Sequence, residues 1–401
     1  MNTMNTMNLK IQIGKNADIG NNREQQDDMI VIQKPEIDCT ILGVADGHGR
    51  QLGKLAANTC RTSVEEFTDA NMELLVANPT EFLEKCYDFV QDRIRDAFVQ
   101  TFLTNEFEVK IEEGGYIIKR RYNWMPFLNT SGGSMLTIAI IKNGILYMSN
   151  VGDCDAGIFT QTPITMAGHT EQVNAKILTF DHSPKNVEEY ARIRQQCPSE
   201  EDPTRAKLLF VYDDVSMEVK SDCPPVFGIA EDGTPSVIKE APYYVKNVKN
   251  DPAIYVTSPA DARFKESVAS TRTMGDFFLN TYGVSAKPQI MTFDLAQCLE
   301  QTDRACLVIA SDGVWDTWIN DHVQKFVMDP SCLRAITNNL ESGAQQVADA
   351  FIKRTVYYGQ KYFKGNADNA SAVVAYFTKV VPQEQPVESV FAIPDANTME
   401  A

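Results

Sequence analysis

Five acidic positions in this 401-residue chain stand where apolar runs stop, and their chemistry would be that of a metal-bound phosphate site. The run Thr40–Ala45 stops at Asp46-Gly47-His48-Gly49. The run Ile145–Asn150 stops just before Gly152-Asp153. Leu307–Ala310 stops at Ser311-Asp312-Gly313. Asp368-Asn369 lies before the last apolar run, and Asp27-Asp28 before the first. A single Asp-Gly is an ordinary turn, and spacing does not by itself prove convergence. Carboxylates brought together would repel, and could share a site only with protons or cations between them. A hard cation with oxygen ligands suits such a set, and Mg²⁺ or Mn²⁺ fits best. Two such ions can activate a water and clamp a phosphate.

The elements that must carry these residues follow from the apolar pattern. Met29–Ile32, Thr40–Ala45, Leu307–Ala310 and Ala372–Phe377 are short apolar or β-branched runs, which predict strands. Leu52–Phe67, Phe82–Phe102 and Gln345–Tyr357 have apolar residues every three or four positions, which predicts helices. Met135–Ile141 and Ile145–Asn150 flank Asn143-Gly144, a pair suited to a type I′ hairpin turn. Helices fall in pairs between groups of strands. The pattern predicts an α+β domain of antiparallel sheets covered by helices, not a doubly wound parallel sheet.

Composition narrows the function. The net charge is −17, from 37 basic and 54 acidic residues, which disfavours nucleic acid and anionic membranes as partners. A phosphate site here would need local positive charge, which metal ions would supply. Nine scattered cysteines without a CxxC pair argue against a disulfide framework and a cysteine-rich zinc site. No apolar signal segment and no run of about 18 apolar residues is visible, so an intracellular location, cytoplasmic or nuclear, is expected. Lys119-Arg120-Arg121 is read as a solvated basic trio, His169 and His322 as surface groups, and His182 as structural. Asp276 and Asp316 are read as residues that hold turns or helix starts.

Eight short motifs, in order, resemble one family. They are Arg23-Glu24-Gln25-Gln26-Asp27-Asp28, Asp46-Gly47-His48-Gly49, Gly133-Ser134-Met135 with Gly152-Asp153, and Leu178-Thr179-Phe180-Asp181-His182-Ser183-Pro184. Thr271-Arg272-Thr273-Met274-Gly275-Asp276, Val284-Ser285-Ala286-Lys287-Pro288, Ala310-Ser311-Asp312-Gly313-Val314-Trp315-Asp316 and Asp368-Asn369 complete the set. Together they resemble the protein phosphatase 2C, or metal-dependent protein phosphatase, family from about Ile11 to Phe377.

The resemblance implies a four-layer α-β-β-α sandwich, with two antiparallel sheets flanked by helices and a dinuclear metal site at one end. It implies a phosphoprotein substrate and hydrolysis of phosphoserine and phosphothreonine by a metal-activated water, without a phosphoenzyme. Asp46 would bridge two Mg²⁺ or Mn²⁺ ions. The Gly47 carbonyl would ligate one, with Asp27 nearby, directly or through water. Asp28 is a further candidate from the same acidic pair. Asp312 and Asp368 would hold the other ion, and Asp153 with Asp312 a weaker third. Arg23 would bind the phosphate and His48 would protonate the leaving oxygen. The expected organisation is a flexible tail over 1–8, one domain over 9–380 with an enlarged flap at about 185–268, and a tail over 381–401. A monomer is expected.

The chain departs from the family in Asp27-Asp28, where Glu-Asp is usual, and in Thr271, where Ser is usual. Gly152-Asp153-Cys154-Asp155 stands in place of GDSR. A competing reading is a pseudophosphatase that keeps the fold as a binding or scaffold module. The retained Asp46, Asp312, Asp368, Arg23 and His48 argue against it.

Overall fold

The computed structural model describes residues 9–50, 52–165, 170–238 and 244–379. The expected tails over 1–8 and 381–401, and His169, lie outside the described residues.

Two antiparallel sheets form the centre. The first runs Leu9–Asp18, Ala370–Lys379, Arg304–Ala310, Asp155–Thr165, Gln172–Ile177 in spatial order. The second runs Gln289–Asp294, Ile145–Val151, Gly133–Lys142, Cys39–His48, Asp28–Lys34, with Met274–Gly275 added beside Gly133–Lys142. The Asn143 and Gly144 backbones, at φ 52° and 75°, make the hairpin turn between Gly133–Lys142 and Ile145–Val151. Both angles are positive, as a type I′ turn requires.

Successive strand side chains point to opposite faces, and here both faces are covered. Along Cys39–His48, Leu42 and Val44 pack between the sheets with Ile158, Leu307 and Val373. Ile41 and Ala45 point the other way, toward helices Gly53–Ala70 and Pro79–Thr104, and meet Ala56, Val64, Phe82 and Tyr87. On the far side, Val308 and Val374 pack with Trp318, Val347 and Phe351 beneath helix Gly343–Tyr362. The result is the expected four-layer sandwich. Burial on both faces explains why the strands read as continuous apolar runs rather than alternating ones.

Segment 185–238 with 244–268 carries helix Val187–Gln196 and the small strands Leu209–Tyr212, Ile254–Thr257 and Ser267–Val268. Tyr190, Phe210 and Val256 join the core between the two large sheets. The Lys119 expectation is corrected. The Ile117–Arg120 strand folds against the end of helix Pro79–Thr104, so Lys119 is buried with its Nζ 3.6 Å from the Phe102 ring centroid. Burial lowers its ammonium to about 8. Arg120 pairs with Glu108 at 2.6 Å.

Candidate active site

Antiparallel pairing places the ends of several strands together. Ala310 faces both Ala372 and Asp155, so the stop at Asp312 and the starts after Asp368 and Asp153 share one end of the first sheet. Ala45 faces both Asp28 and Leu136, and Leu136 faces Val151, so Asp27, Asp46 and Asp153 share one end of the second sheet. Two glycines permit the closest approaches. A Cβ on Gly47 would stand 2.3 Å from the Gly53 carbonyl oxygen, and one on Gly313 would stand 2.0 Å from that of Asn369.

Asn369 ties the loop before the Asp28–Lys34 strand to Asp368. Its side-chain amide donates to the Ile19 and Glu24 carbonyls at 2.9 and 3.2 Å, and its Oδ1 accepts from the Gln26 amide at 2.9 Å. Asn22 donates to Asp368 Oδ1 at 2.6 Å.

Five predicted carboxylates, on Asp27, Asp46, Asp153, Asp312 and Asp368, come within electrostatic reach of one another. Burial, with the charges of Asp27, Asp312, Asp368 and Asp153, pushes Asp46 well above the usual carboxylate range. Burial also raises Asp27 to about 7, reinforced by Asp312 and Asp368 and offset in part by the nearby Ser371 and Ser311 hydroxyls. Burial opposes ionisation of Asp312, but the Lys246 ammonium outweighs it and holds that carboxyl below its ordinary value.

The structure does not bring Asp28 into the cluster. It is the next residue along the chain and faces the opposite side, where Arg61 Nε and Asn58 Nδ2 donate to its Oδ2 at 2.9 and 3.2 Å. Arg23 is exposed, with no ion-pair or hydrogen-bond partner among the described residues.

His48 lies at the end of the Cys39–His48 strand, beside the cluster. Its Nε2 is 2.6 Å from Asp276 Oδ2, which also accepts from the Thr273 hydroxyl at 2.9 Å. Burial opposes the imidazolium, yet the Asp276 carboxylate raises its pKa above the ordinary histidine value. Asp276 sits in a left-handed conformation at φ 40°, after Gly275, whose amide donates to Gln91 Oε1 at 2.7 Å. Asp276, read from sequence as a turn residue, is therefore also the partner of His48. His182 is buried, with Nε2 2.8 Å from Gln289 Oε1, and burial lowers its pKa to about 4.

Sequence reasoning missed Lys246. Its Nζ stands 3.0 Å from Asp312, 3.6 Å from Asp153 and 3.8 Å from Asp316. A lysine in the polar stretch Lys246-Asn247-Val248-Lys249-Asn250 has no local signal that marks it out.

Among the described residues, no three carboxylate, imidazole or thiol groups already form a finished ligand cage. The donor set nevertheless fits a hard divalent cation. Among the described residues no donor meets either buried Asp27 oxygen in hydrogen-bond geometry, the Ser371 and Ser311 hydroxyls being near enough only to offset part of the burial, and this state costs free energy unless a cation or proton meets them. The charged groups that reach Asp27, those of Asp312, Asp368 and Asp46, are oxygen donors.

The family model described as protein phosphatase 2C matches residues 14–211 and 251–358. The chain belongs to that family, which is one of protein phosphatases. It is 22% identical over 351 residues to protein phosphatase 2C 50 of Oryza sativa subsp. japonica, spanning 83% of this chain and 68% of the relative. A 90-residue stretch is 32% identical to the probable protein phosphatase 2C 61 of Arabidopsis thaliana, spanning 22% of this chain and 25% of that one. The fold is similar to the serine-threonine phosphatase 2C from Toxoplasma gondii, with TM-score 0.55, 15% identity and 92% and 95% of the two chains covered. It is also similar to a C. elegans sex determining protein, with TM-score 0.52, 15% identity and 92% and 65% covered.

Proposed function

We propose that this chain is a metal-dependent phosphatase acting on phosphoserine and phosphothreonine in proteins. The observation that carries the reading is the gathering of Asp27, Asp46, Asp153, Asp312 and Asp368 at one end of the sandwich, with the unpartnered Asp27 oxygens among them. Asp27, Asp46, Asp312, Asp368 and the Gly47 carbonyl would hold Mg²⁺ or Mn²⁺. Such ions, when bound, neutralise phosphoryl oxygens and activate water.

The remaining work belongs to side chains. Arg23 is free to meet the substrate phosphate with its planar fork of donors. His48 gives its proton to the departing serine or threonine oxygen. With Nε2 engaged by Asp276, that proton is held at Nδ1, which is buried and has no partner among the described residues, so this side of the ring must open towards substrate to deliver it. Asp276 fixes the ring and favours its protonated form. The segment over about 185–268 flanks the site and would shape the choice of substrate, so specificity belongs to this chain's own sequence.

The test is hydrolysis of p-nitrophenyl phosphate and a phosphothreonine peptide with EDTA, Mg²⁺ or Mn²⁺, beside Asp312→Asn. Metal-dependent turnover that vanishes in the variant supports the reading. A folded protein that binds Mn²⁺ but turns over neither substrate would be a binding module instead.

A further inference from the structure

Lys246 lies in the stretch 212–250, which the family model leaves unmatched. Its position is built rather than incidental. The Lys246 amide donates to the Asp251 carbonyl at 2.8 Å, closing a turn in which Asn250 adopts φ 63°. The next anchor is the Val248 amide, which donates to the Asp316 carbonyl at 3.0 Å. Asp251 is itself pinned by Lys185 Nζ at 2.8 Å and by Asn247. These bonds aim the Lys246 side chain at three carboxylates. Asp312 is the nearest, at 3.0 Å, with Asp153 and Asp316 at 3.6 and 3.8 Å. Lys246 also forms one wall of a cavity whose other walls include Asp312, Gly313, Asp316 and Asp368.

An exposed lysine–carboxylate pair contributes little. A half-buried ammonium shared by three carboxylates, two of them candidate metal ligands, is a different case. We propose that Lys246 is a tethered monovalent cation that occupies the position between Asp153, Asp312 and Asp316 and so keeps a third divalent ion out. The inference rests on the metal reading above and is an alternative to the third ion that the family resemblance implies. An ammonium and a divalent ion cannot share three carboxylates at these distances. Loading a third ion would require the Lys246 ammonium to swing out of this position.

The experiment is titration of the full chain with Mn²⁺, read as bound ions per chain by electron paramagnetic resonance, with circular dichroism to establish folding. Wild type and Lys246→Arg are expected to saturate at two ions. Lys246→Met is expected to take a third, with at least tenfold higher affinity for that ion than wild type. Lys249→Met removes the same charge from the same segment and is expected to behave as wild type. A third ion of equal affinity in wild type and Lys246→Met would overturn the proposal, as would an equal shift in both methionine variants. If no variant bound Mn²⁺ at all, the metal reading itself would fall, and this inference with it.

Discussion

The Nε2 of His48 stands 2.6 Å from Oδ2 of Asp276, although 228 residues separate them in sequence. The pair fixes the ring, leaves Nδ1 as the nitrogen without a partner among the described residues and raises the imidazole pKa. Asp276 is a positioning residue in this arrangement. Asp276→Asn is expected to lower kcat about 100-fold, within the range that a well-placed general acid contributes. Mn²⁺ affinity should be unchanged, and Asp276→Glu should restore part of the rate. Steady-state kinetics with a parallel Mn²⁺ titration would check this; a loss of metal binding in step with kcat would refute the positioning role.

Adjacent aspartates should behave oppositely. Asp28→Asn removes a half-buried ion pair with Arg61 and should cost no more than about 1 kcal/mol, with Mn²⁺ affinity intact. Asp27→Asn should weaken Mn²⁺ binding about tenfold or more. In the metal-free protein the sign reverses. Asp27 titrates at about 7 when folded against an ordinary 3.8, so its stabilising proton is lost as pH rises through about 7. Metal-free Asp27→Asn should therefore melt above metal-free wild type at pH 8. Calorimetry on EDTA-treated proteins gives the comparison.

Glu189 sets an acid limit on stability. It is buried and bonded to Arg272 Nη2 at 2.7 Å, Arg192 Nη2 at 2.8 Å and the Thr271 hydroxyl at 2.9 Å. Burial alone would raise its carboxyl, but the two guanidinium groups outweigh that and hold it at about 2, against an ordinary 4.5. The folded value is depressed, so the stabilisation is present above about pH 4.5 and is lost as pH falls towards 2. A shift of that size corresponds to about 3 kcal/mol. Glu189→Gln should lose a comparable amount at pH 7 and show a shallower fall in stability between pH 5 and 3. Urea unfolding at several pH values would read both.

Gly47→Ala should damage the site through packing. Its new methyl would meet the Gly53 carbonyl oxygen at 2.3 Å and the Gln26 carbonyl oxygen at 2.6 Å. Both are backbone atoms and cannot turn aside. An overpacking cost of about 1–3 kcal/mol is expected, with a loss of activity out of proportion to the loss of stability, because Asp46 and His48 flank the displaced residue. A melting temperature equal to wild type would count against this account.

Much of the arrangement was legible in sequence because the strands are buried on both faces. Continuous apolar runs announce such strands, and the aspartates announce their ends. Asn143-Gly144 declared its hairpin. Other features depended on partners distant in sequence. Nothing local separates Asp27 from Asp28; pleating and the position of Arg61 decide which one faces the cluster. Lys119 looked solvated because its cover, Phe102, comes from another element. Lys246 acquires meaning only from the aspartates it reaches, and Asp276 only from His48.

The pairing of Leu9–Asp18 with Ala370–Lys379 joins the two ends of the described chain. The carboxylates follow the same plan, since Asp27 precedes the second strand and Asp368 the last. During synthesis the acidic cluster therefore cannot close until the ribosome has released Asp368, and the strand Leu9–Asp18 must wait for a neighbour made hundreds of residues later. Pairing between segments so far apart predicts slow closure of this sheet and an exposed edge on the nascent chain. It would also make ion binding a report of completeness, because a chain interrupted before Asp368 lacks both a proposed ligand and the strand that aligns the others.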